Sequence, residues 1–83
     1  MTHNLKCLQE YFQPLIDGRK TFEIRREDDR EFPFAEGDNL QIRELDTRID
    51  NYSGRSAIFE VTYILRDKPF VPDGYVVLGI KRK

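Results

Sequence analysis

The sequence predicts an α+β domain that is mainly β, with about five strands curled into a small barrel and one early helix. Apolar residues alternate with polar ones in several short segments, which is the period of half-buried strands. The stretch from Leu8 to Ile16 instead places apolar residues at helical spacing. One helix among about five strands favours a small barrel or a strongly curved sheet whose open end the helix closes.

Length and composition predict a single domain over residues 1–83. Hydrophobic residues make up 39% of the chain and charged residues 35%, as in folded globular proteins. No apolar run approaches the roughly 20 residues of a membrane span, and the first residues are polar. We therefore expect a cytoplasmic protein without membrane contact. The net charge of −1 excludes coating of nucleic acid through bulk electrostatics, so any such contact must be local.

The first strand is predicted over residues 3–8, with Leu5 and Cys7 on one face. A single cysteine excludes an internal disulfide, and we expect it to be a small buried residue. The helix that follows ends at Gly18, which supplies a left-handed stop. Pro14 interrupts its pattern, so the helix either begins near Gln13 with proline in its first turn or bends at the proline.

The rest of the chain alternates between strands and turn-rich segments. A strand over 21–25 leads to a charged loop over 26–36, in which Phe32, Pro33 and Phe34 are expected to cover the core. Leu40 and Ile42 then mark a half-buried strand. The turn-forming residues of 46–56 predict a loop between strands. Alternation over 58–65 predicts the longest strand, and Tyr75 to Lys81 the last, with Val76, Leu78 and Ile80 on its apolar face.

The segment from Gly18 to Arg25 is the candidate functional site. Alternation along the strand predicts that Phe22 and Ile24 face the core, while Thr21, Glu23 and Arg25 share the opposite face. Lys20 joins that polar face only if the chain twists as it leaves the turn. These polar groups together can hold a small polar ligand or a nucleobase through directional hydrogen bonds. The alternative to a ligand site is an ordinary solvent-exposed strand face whose charges pair with those on neighbouring strands.

Several motifs are spread over the chain at residues 3–6, Tyr11-Phe12, residues 18–25, Gly37-Asp38, Arg43-Glu44, residues 61–63 and residues 74–77. Together they resemble the ASCH domains of the PUA-like superfamily, and most closely a small ASCH-related family of bacteria and phages. The similarity covers nearly the whole chain, and implies a β-barrel whose cleft is lined by the motif strand. Because PUA domains bind RNA, it also implies a ligand related to RNA.

The same resemblance raises an enzymatic alternative. Some ASCH-like proteins are amidohydrolases that deacetylate N4-acetylcytidine through a lysine, a threonine and a distant glutamate. Lys20 matches the lysine, but Glu23 stands where those enzymes have the threonine. Thr21, beside Lys20, is a substitute nucleophile if the lysine acts as its base. An enzyme would thus use Lys20, Thr21 and Glu23, while Glu44 and Glu60 are the candidates for the distant glutamate.

The leading functional hypothesis is a binding module for single-stranded RNA or a nucleotide-like small molecule, with no cofactor and no metal. Here Glu23 accepts from an exocyclic amine or orients Arg25. The remaining ligand contacts are assigned to Lys20, Arg25 and Arg43 for phosphate or carbonyl oxygens, and to Tyr75 or Tyr52 for stacking.

Two alternatives remain open. The first is an amidohydrolase acting on a modified nucleoside, with Lys20 as base and Thr21 or a water as nucleophile. The second is a small protein-interaction domain that uses the acidic segment 27–36. His3 is a minor candidate for the site if the first strand neighbours the motif strand. The chain has no glycine-rich phosphate loop, metal-ligand cluster or Ser-His-Asp set, which disfavours nucleotide hydrolysis, metal catalysis and serine-type acyl transfer.

Overall fold

A computed structural model describes residues 1–83 as a five-stranded sheet with one short helix. The α+β, mainly β architecture predicted from the sequence is confirmed. None of its helical segments has the length and apolar character needed to cross a bilayer. The elements in chain order are β1 (Thr2–Leu8), α1 (Gln9–Ile16), β2 (Phe22–Arg26), β3 (Asn39–Asp46), β4 (Asn51–Leu65) and β5 (Tyr75–Arg82).

The sheet has the strand order β1-β3-β4-β5-β2, so β1 and β2 form its two edges. Strand β1 runs parallel to β3, and the other neighbours are antiparallel. The Arg25 guanidinium on β2 donates to the Lys6 carbonyl on β1 at 2.9 Å, so the sheet curls far enough to bring its two edges together. The architecture is therefore a half-barrel that stays open between β1 and β2.

The core lies inside the curl and takes residues from the helix, from four of the strands and from Phe34 of the loop before β3. Burial of alternate residues on β3 and β5 agrees with the predicted apolar faces of these strands. The helix contacts β1 and β3 and contributes two fully packed side chains, Phe12 and Leu15. The buried cluster comprises Leu5, Cys7, Phe12, Leu15, Phe34, Leu40, Ile42, Ala57, Phe59, Val61, Val76, Leu78 and Ile80.

Helix α1 begins at Gln9, so of the two alternatives for Pro14 the start near Gln13 is wrong. Pro14 lies inside the helix and cannot donate to the carbonyl four residues before it. Burial of the apolar face compensates for that missing bond in a helix of only two turns. Gly18 has φ +78°, which confirms it as the left-handed stop, and its N–H donates to the Leu15 carbonyl at 3.2 Å.

Residues 46–56 were expected to form a loop, but only 47–50 lie in the turn. Pairing of Leu45 with Tyr52 and of Asp46 with Asn51 extends the β3–β4 hairpin almost to its tip. The register shifts between Arg43 and Leu45, opposite a stretch that contains Gly54 at φ +98°. The turn-forming residues of this segment therefore serve a β-bulge inside a strand instead of a long loop.

Two further expectations are corrected by burial. Of the loop residues expected to cover the core, Phe34 is buried while Phe32 and Pro33 are exposed. The backbone of Phe34 explains the difference, since its N–H donates to Glu27 and its carbonyl accepts from Arg66, which fixes that residue over the core. On β4 the simple alternation ends at a register shift between Val61 and Tyr63, which leaves Tyr63 exposed.

Candidate functional site

The largest cavity, with a volume of about 590 Å³, opens in the gap between the two edges of the sheet. A cleft forms here because the curl brings β1 and β2 close together without backbone pairing between them. We call it the edge cleft. Its lining residues are Lys6, Cys7 and Leu8 from β1, Tyr11 from α1, Lys20 from the turn, and Phe22, Glu23, Ile24 and Arg25 from β2.

The two faces of β2 are the reverse of the sequence prediction. Glu23 is only 3% exposed, whereas Phe22 and Ile24, expected in the core, are 43% and 56% exposed. Burial of a carboxylate is tolerable only where partners replace its water, and Glu23 has two cationic partners. Because β2 is an edge strand beside an open gap, its apolar side chains border the cleft instead of the core.

Glu23 lies at the centre of a three-residue ionic cluster, which we call the Glu23 cluster. The Lys20 ammonium donates to Oε1 at 3.1 Å, and the Arg25 Nε donates to Oε2 at 3.0 Å. Each carboxylate oxygen therefore has its own charged donor. Lys20 lies before the first residue of β2, where its N–H donates to the Pro14 carbonyl at 3.0 Å and its side chain reaches Glu23.

Aromatic rings flank the ammonium of this cluster. The Lys20 Nζ lies 5.2 Å from the centroid of the Tyr11 ring and 5.6 Å from that of Phe22, within cation–π range. Both rings are substantially exposed. The edge cleft thus combines apolar walls with a charged, hydrogen-bonding floor, an arrangement that suits a planar ligand with a polar edge.

Cys7 also lines the edge cleft and is buried, as the sequence predicts. Burial is the main cause that raises the pKa of its thiol to about 11, and the negative charge of Glu23 raises it further. The nucleophilic form of cysteine is the thiolate. At neutral pH Cys7 is therefore a protonated, apolar part of the wall and not a nucleophile.

The remaining residues of the enzymatic hypothesis do not meet at the edge cleft. Thr21 is exposed and lines no part of it, while its carbonyl accepts from the Ile80 N–H at 3.0 Å. Glu44 is buried, but its carboxylate is occupied by Ser53 at 2.7 Å. Glu60 lies on β4 opposite Lys81, outside the cleft.

The other predicted ligand contacts are divided between two further cavities. Arg43 and Tyr52 line a groove of about 280 Å³ that shares Lys6 and Arg25 with the edge cleft. Tyr75 instead lines a separate cavity of about 420 Å³ formed with the loops around Glu27 and Arg66. The structure therefore brings Lys20, Glu23 and Arg25 together, places Arg43 next to them, and does not bring Tyr75 to this site.

His3 belongs to a buried structural network and does not line the edge cleft. Because arginine can only donate, the 3.1 Å contact from Arg30 makes His3 Nδ1 an acceptor. His3 Nε2 therefore carries the proton and donates to Asp38 at 2.8 Å. Burial alone would raise the pKa of Asp38, but hydrogen bonds from His3 and the Ala35 N–H outweigh it and lower that pKa.

The acidic segment 27–36 is partly engaged inside the molecule. Arg66 donates to both carboxylate oxygens of Glu27 at 2.8 Å. This fork, with a further bond from the Phe34 N–H, lowers the pKa of Glu27 despite an opposing effect of burial. Asp28 pairs with Arg26, which leaves Asp29, Glu31 and Glu36 as the acidic residues of the segment without an ion pair.

Sequence reasoning missed six contributors to the edge cleft: it assigned Lys6, Leu8 and Tyr11 to no site, and it placed Cys7, Phe22 and Ile24 in the core. Tyr11 carried a usable signal, since a tyrosine on an amphipathic helix commonly has one face in contact with the protein and one in water. No sequence pattern shows that the Lys6 carbonyl meets Arg25, because that contact depends on how far the sheet curls.

Fold and site together define a small β-rich domain with a charged cleft between the two edges of a curled sheet. The chain belongs to the family described as a domain of unknown function, DUF3850, whose model matches residues 2–80. No curated protein matches the sequence. No group of three or more His, Cys, Asp or Glu side chains is arranged to hold a metal ion.

Proposed function

We propose that the protein binds a nucleotide-like small molecule or single-stranded RNA, and that the edge cleft receives the base. The observation that carries this proposal is the Glu23 cluster on the floor of the cleft. A buried carboxylate with a charged donor at each oxygen stands below the exposed rings of Tyr11 and Phe22. The volume of about 590 Å³ lies within the usual range of small-molecule sites.

The chemistry of the floor suits the edge of a nucleobase. Glu23 accepts from an exocyclic amine, and Lys20 and Arg25 donate to ring or carbonyl acceptors beside that amine. The rings on the walls offer faces for stacking, which contributes roughly 1–3 kcal/mol per base. A charged floor that is already hydrogen-bonded is preorganised, so little ordering accompanies binding.

The ASCH-like motifs support the same ligand class, because ASCH domains are similar in fold to the RNA-binding PUA domains. The proposal includes membership of that superfamily and a cytoplasmic location, where RNA and nucleotides are available. A net charge of −1 fits local recognition of a base better than binding along a duplex. The protein-interaction alternative has less support, since Glu27 is paired within the molecule.

The test is a titration with the four common ribonucleosides, N4-acetylcytidine, and short single-stranded RNA and DNA, followed by amide chemical shifts. We expect saturable shifts at residues 20–25 for at least one probe. Tyr11→Ala should weaken that binding about tenfold, because loss of one stacking face removes 1–3 kcal/mol. Tyr63→Ala is the matched control, an exposed tyrosine outside the cleft, and should bind like the wild type.

Absence of saturable shifts for every probe, or equal losses in Tyr11→Ala and Tyr63→Ala, would contradict the proposal. The same samples test the amidohydrolase alternative through release of acetate from N4-acetylcytidine. Thr21 lies outside the cleft and Cys7 is protonated, so hydrolysis here would need a water as nucleophile. Acetate release that Lys20→Gln abolishes would make the protein an enzyme with Lys20 as its base.

A further inference from the structure

A second groove adjoins the edge cleft and is strongly basic. It has a volume of about 280 Å³, and it shares Lys6 and Arg25 with the cleft. Four of its seven lining residues are cationic, and none is acidic. We call it the basic groove. Its lining residues are Asn4, Leu5, Lys6, Arg25, Arg30, Arg43 and Tyr52.

The charge in the basic groove is not neutralised from within the protein. Lys6, Arg30 and Arg43 take part in none of the ten ion pairs of the molecule. Arg25 is paired with Glu23, so the excess positive charge comes from the other three cations.

Arg30 contributes charge to the groove from a largely enclosed position. Its Nη2 contacts His3 Nδ1 at 3.1 Å, and its Nε is the single buried side-chain nitrogen or oxygen in the molecule that has no hydrogen-bond partner. Because that nitrogen exposes almost no surface, Arg30 adds positive charge to the groove and not a contact through Nε.

Aromatic rings hold two of the guanidinium groups in place. Arg43 lies 3.6 Å from the centroid of the Tyr52 ring, and Arg30 lies 4.5 Å from that of Phe34. A guanidinium stacked over a ring face keeps the N–H donors at its own edge free for the oxygens of an anion. The donors are thus ordered before a ligand arrives, which reduces the entropic cost of binding.

We infer that the basic groove binds a phosphate group of the ligand whose base occupies the edge cleft. The link between the two cavities rests on the proposed function, and Lys6 and Arg25, which line both, are its structural basis. The ligand is then a phosphorylated nucleotide and not a free nucleoside. The phosphate is either the monoester of a mononucleotide or a diester of a single strand.

The first experiment uses inorganic phosphate on the full chain at low ionic strength, followed by the arginine Nε–H signals. We expect saturable shifts for Arg30 and Arg43. Arg43→Gln should weaken binding about tenfold, as expected for loss of one charge-assisted contact. Arg82→Gln is the matched control, because Arg82 is also an exposed strand arginine without an ion pair but lies outside the groove. Shifts that do not saturate, or that weaken equally in both variants, overturn the inference.

The second experiment compares nucleosides with their 5′-monophosphates and with trinucleotides of the same base. We expect the phosphorylated probes to bind at least tenfold more tightly, and Arg43→Gln to remove most of that difference. Equal binding of nucleoside and monophosphate overturns the basic groove while the edge cleft stands. Phosphate binding without any nucleoside binding keeps the groove as an anion site and overturns its link to the cleft. If the trinucleotide binds more tightly, the groove binds a phosphodiester. If the 5′-monophosphate binds more tightly, it binds a phosphomonoester.

Discussion

The guanidinium of Arg25 joins the two edges of the sheet by donating to the carbonyl of Lys6 at 2.9 Å. Strands β1 and β2 share no ladder, so a side chain occupies the position that backbone hydrogen bonds hold in a closed barrel. The same guanidinium donates through Nε to Glu23. Arg25 therefore couples the width of the edge cleft to the charges on its floor.

Arg25→Gln should weaken the contact between β1 and β2 without unfolding the protein. It removes the bond to Lys6 and one partner of Glu23, and we expect a loss of about 1–3 kcal/mol in the free energy of unfolding. Urea denaturation measures that loss, and amide exchange should quicken in β1 and β2 before β3 and β4. The control is Arg26→Gln, since Arg26 forms only an exposed pair with Asp28. Equal losses in both variants would mean that Arg25 does not bridge the edges in solution.

The Glu23 cluster predicts a distinctive pattern of stability. Glu23→Leu leaves Lys20 and Arg25, both mostly buried, without their counterion, and should cost about 2–4 kcal/mol in the free energy of unfolding. The triple variant Lys20→Met/Glu23→Leu/Arg25→Met removes all three charges and should recover part of that loss, because a buried ionic cluster contributes little net stability while the Arg25 bond to Lys6 stays absent.

The same triple variant separates function from folding. It should fold, yet show no saturable binding of any nucleoside or RNA probe, because the floor of the edge cleft has lost its hydrogen-bonding groups. Thermal unfolding and ligand titration on one sample provide the measurement. A triple variant that binds as tightly as the wild type would show that the cluster stabilises the edge and does not recognise ligand.

Hydrophobic periodicity predicts the buried face correctly for two strands that have a neighbouring strand on each side. Strands β3 and β5 bury alternate residues because each has a neighbour on both sides. The edge strand β2 departs from the rule, since a gap replaces one neighbour and buried Glu23 has cations to neutralise it. Hydrophobic periodicity does not take such ion pairing into account, so it predicts the wrong face for Phe22 and Ile24.

The turn-forming residues of the 46–56 segment likewise do not determine their structure by themselves. Ser53-Gly54 favours a turn and a bulge equally, and only the cross-strand register between Arg43 and Leu45 decides between them. For the site, spacing along one strand found Lys20, Glu23 and Arg25, which lie within six residues of each other. The Tyr11 wall and the Lys6 carbonyl come from other elements, and their placement depends on the curl of the whole sheet.

The Glu27–Arg66 fork predicts a specific loss of stability in acid. The folded pKa of Glu27 lies below its ordinary value of 4.5, mainly because Arg66 donates to both carboxylate oxygens. This stabilisation is complete above the ordinary value and is lost as the pH falls through the lower folded pKa. Glu27→Gln should lower the free energy of unfolding by about 1 kcal/mol at pH 7 and flatten its decline below pH 4.5. A variant with the same acid slope as the wild type would exclude this fork as the cause.

The raised pKa of the Cys7 thiol predicts that the free energy of unfolding falls at alkaline pH. Burial raises the pKa of its thiol from 9.0 to about 11, so the thiolate forms more readily in the unfolded chain. The stabilisation is complete below pH 9 and is lost as the pH rises toward 11, a change of about 3 kcal/mol. Cys7→Ala should reduce the alkaline decline in the free energy of unfolding, and comparison of the two curves removes the contribution of other titrating groups. Native wild type should also react with a thiol reagent at pH 8 far more slowly than the urea-unfolded chain; equal rates would place Cys7 in contact with solvent through the edge cleft.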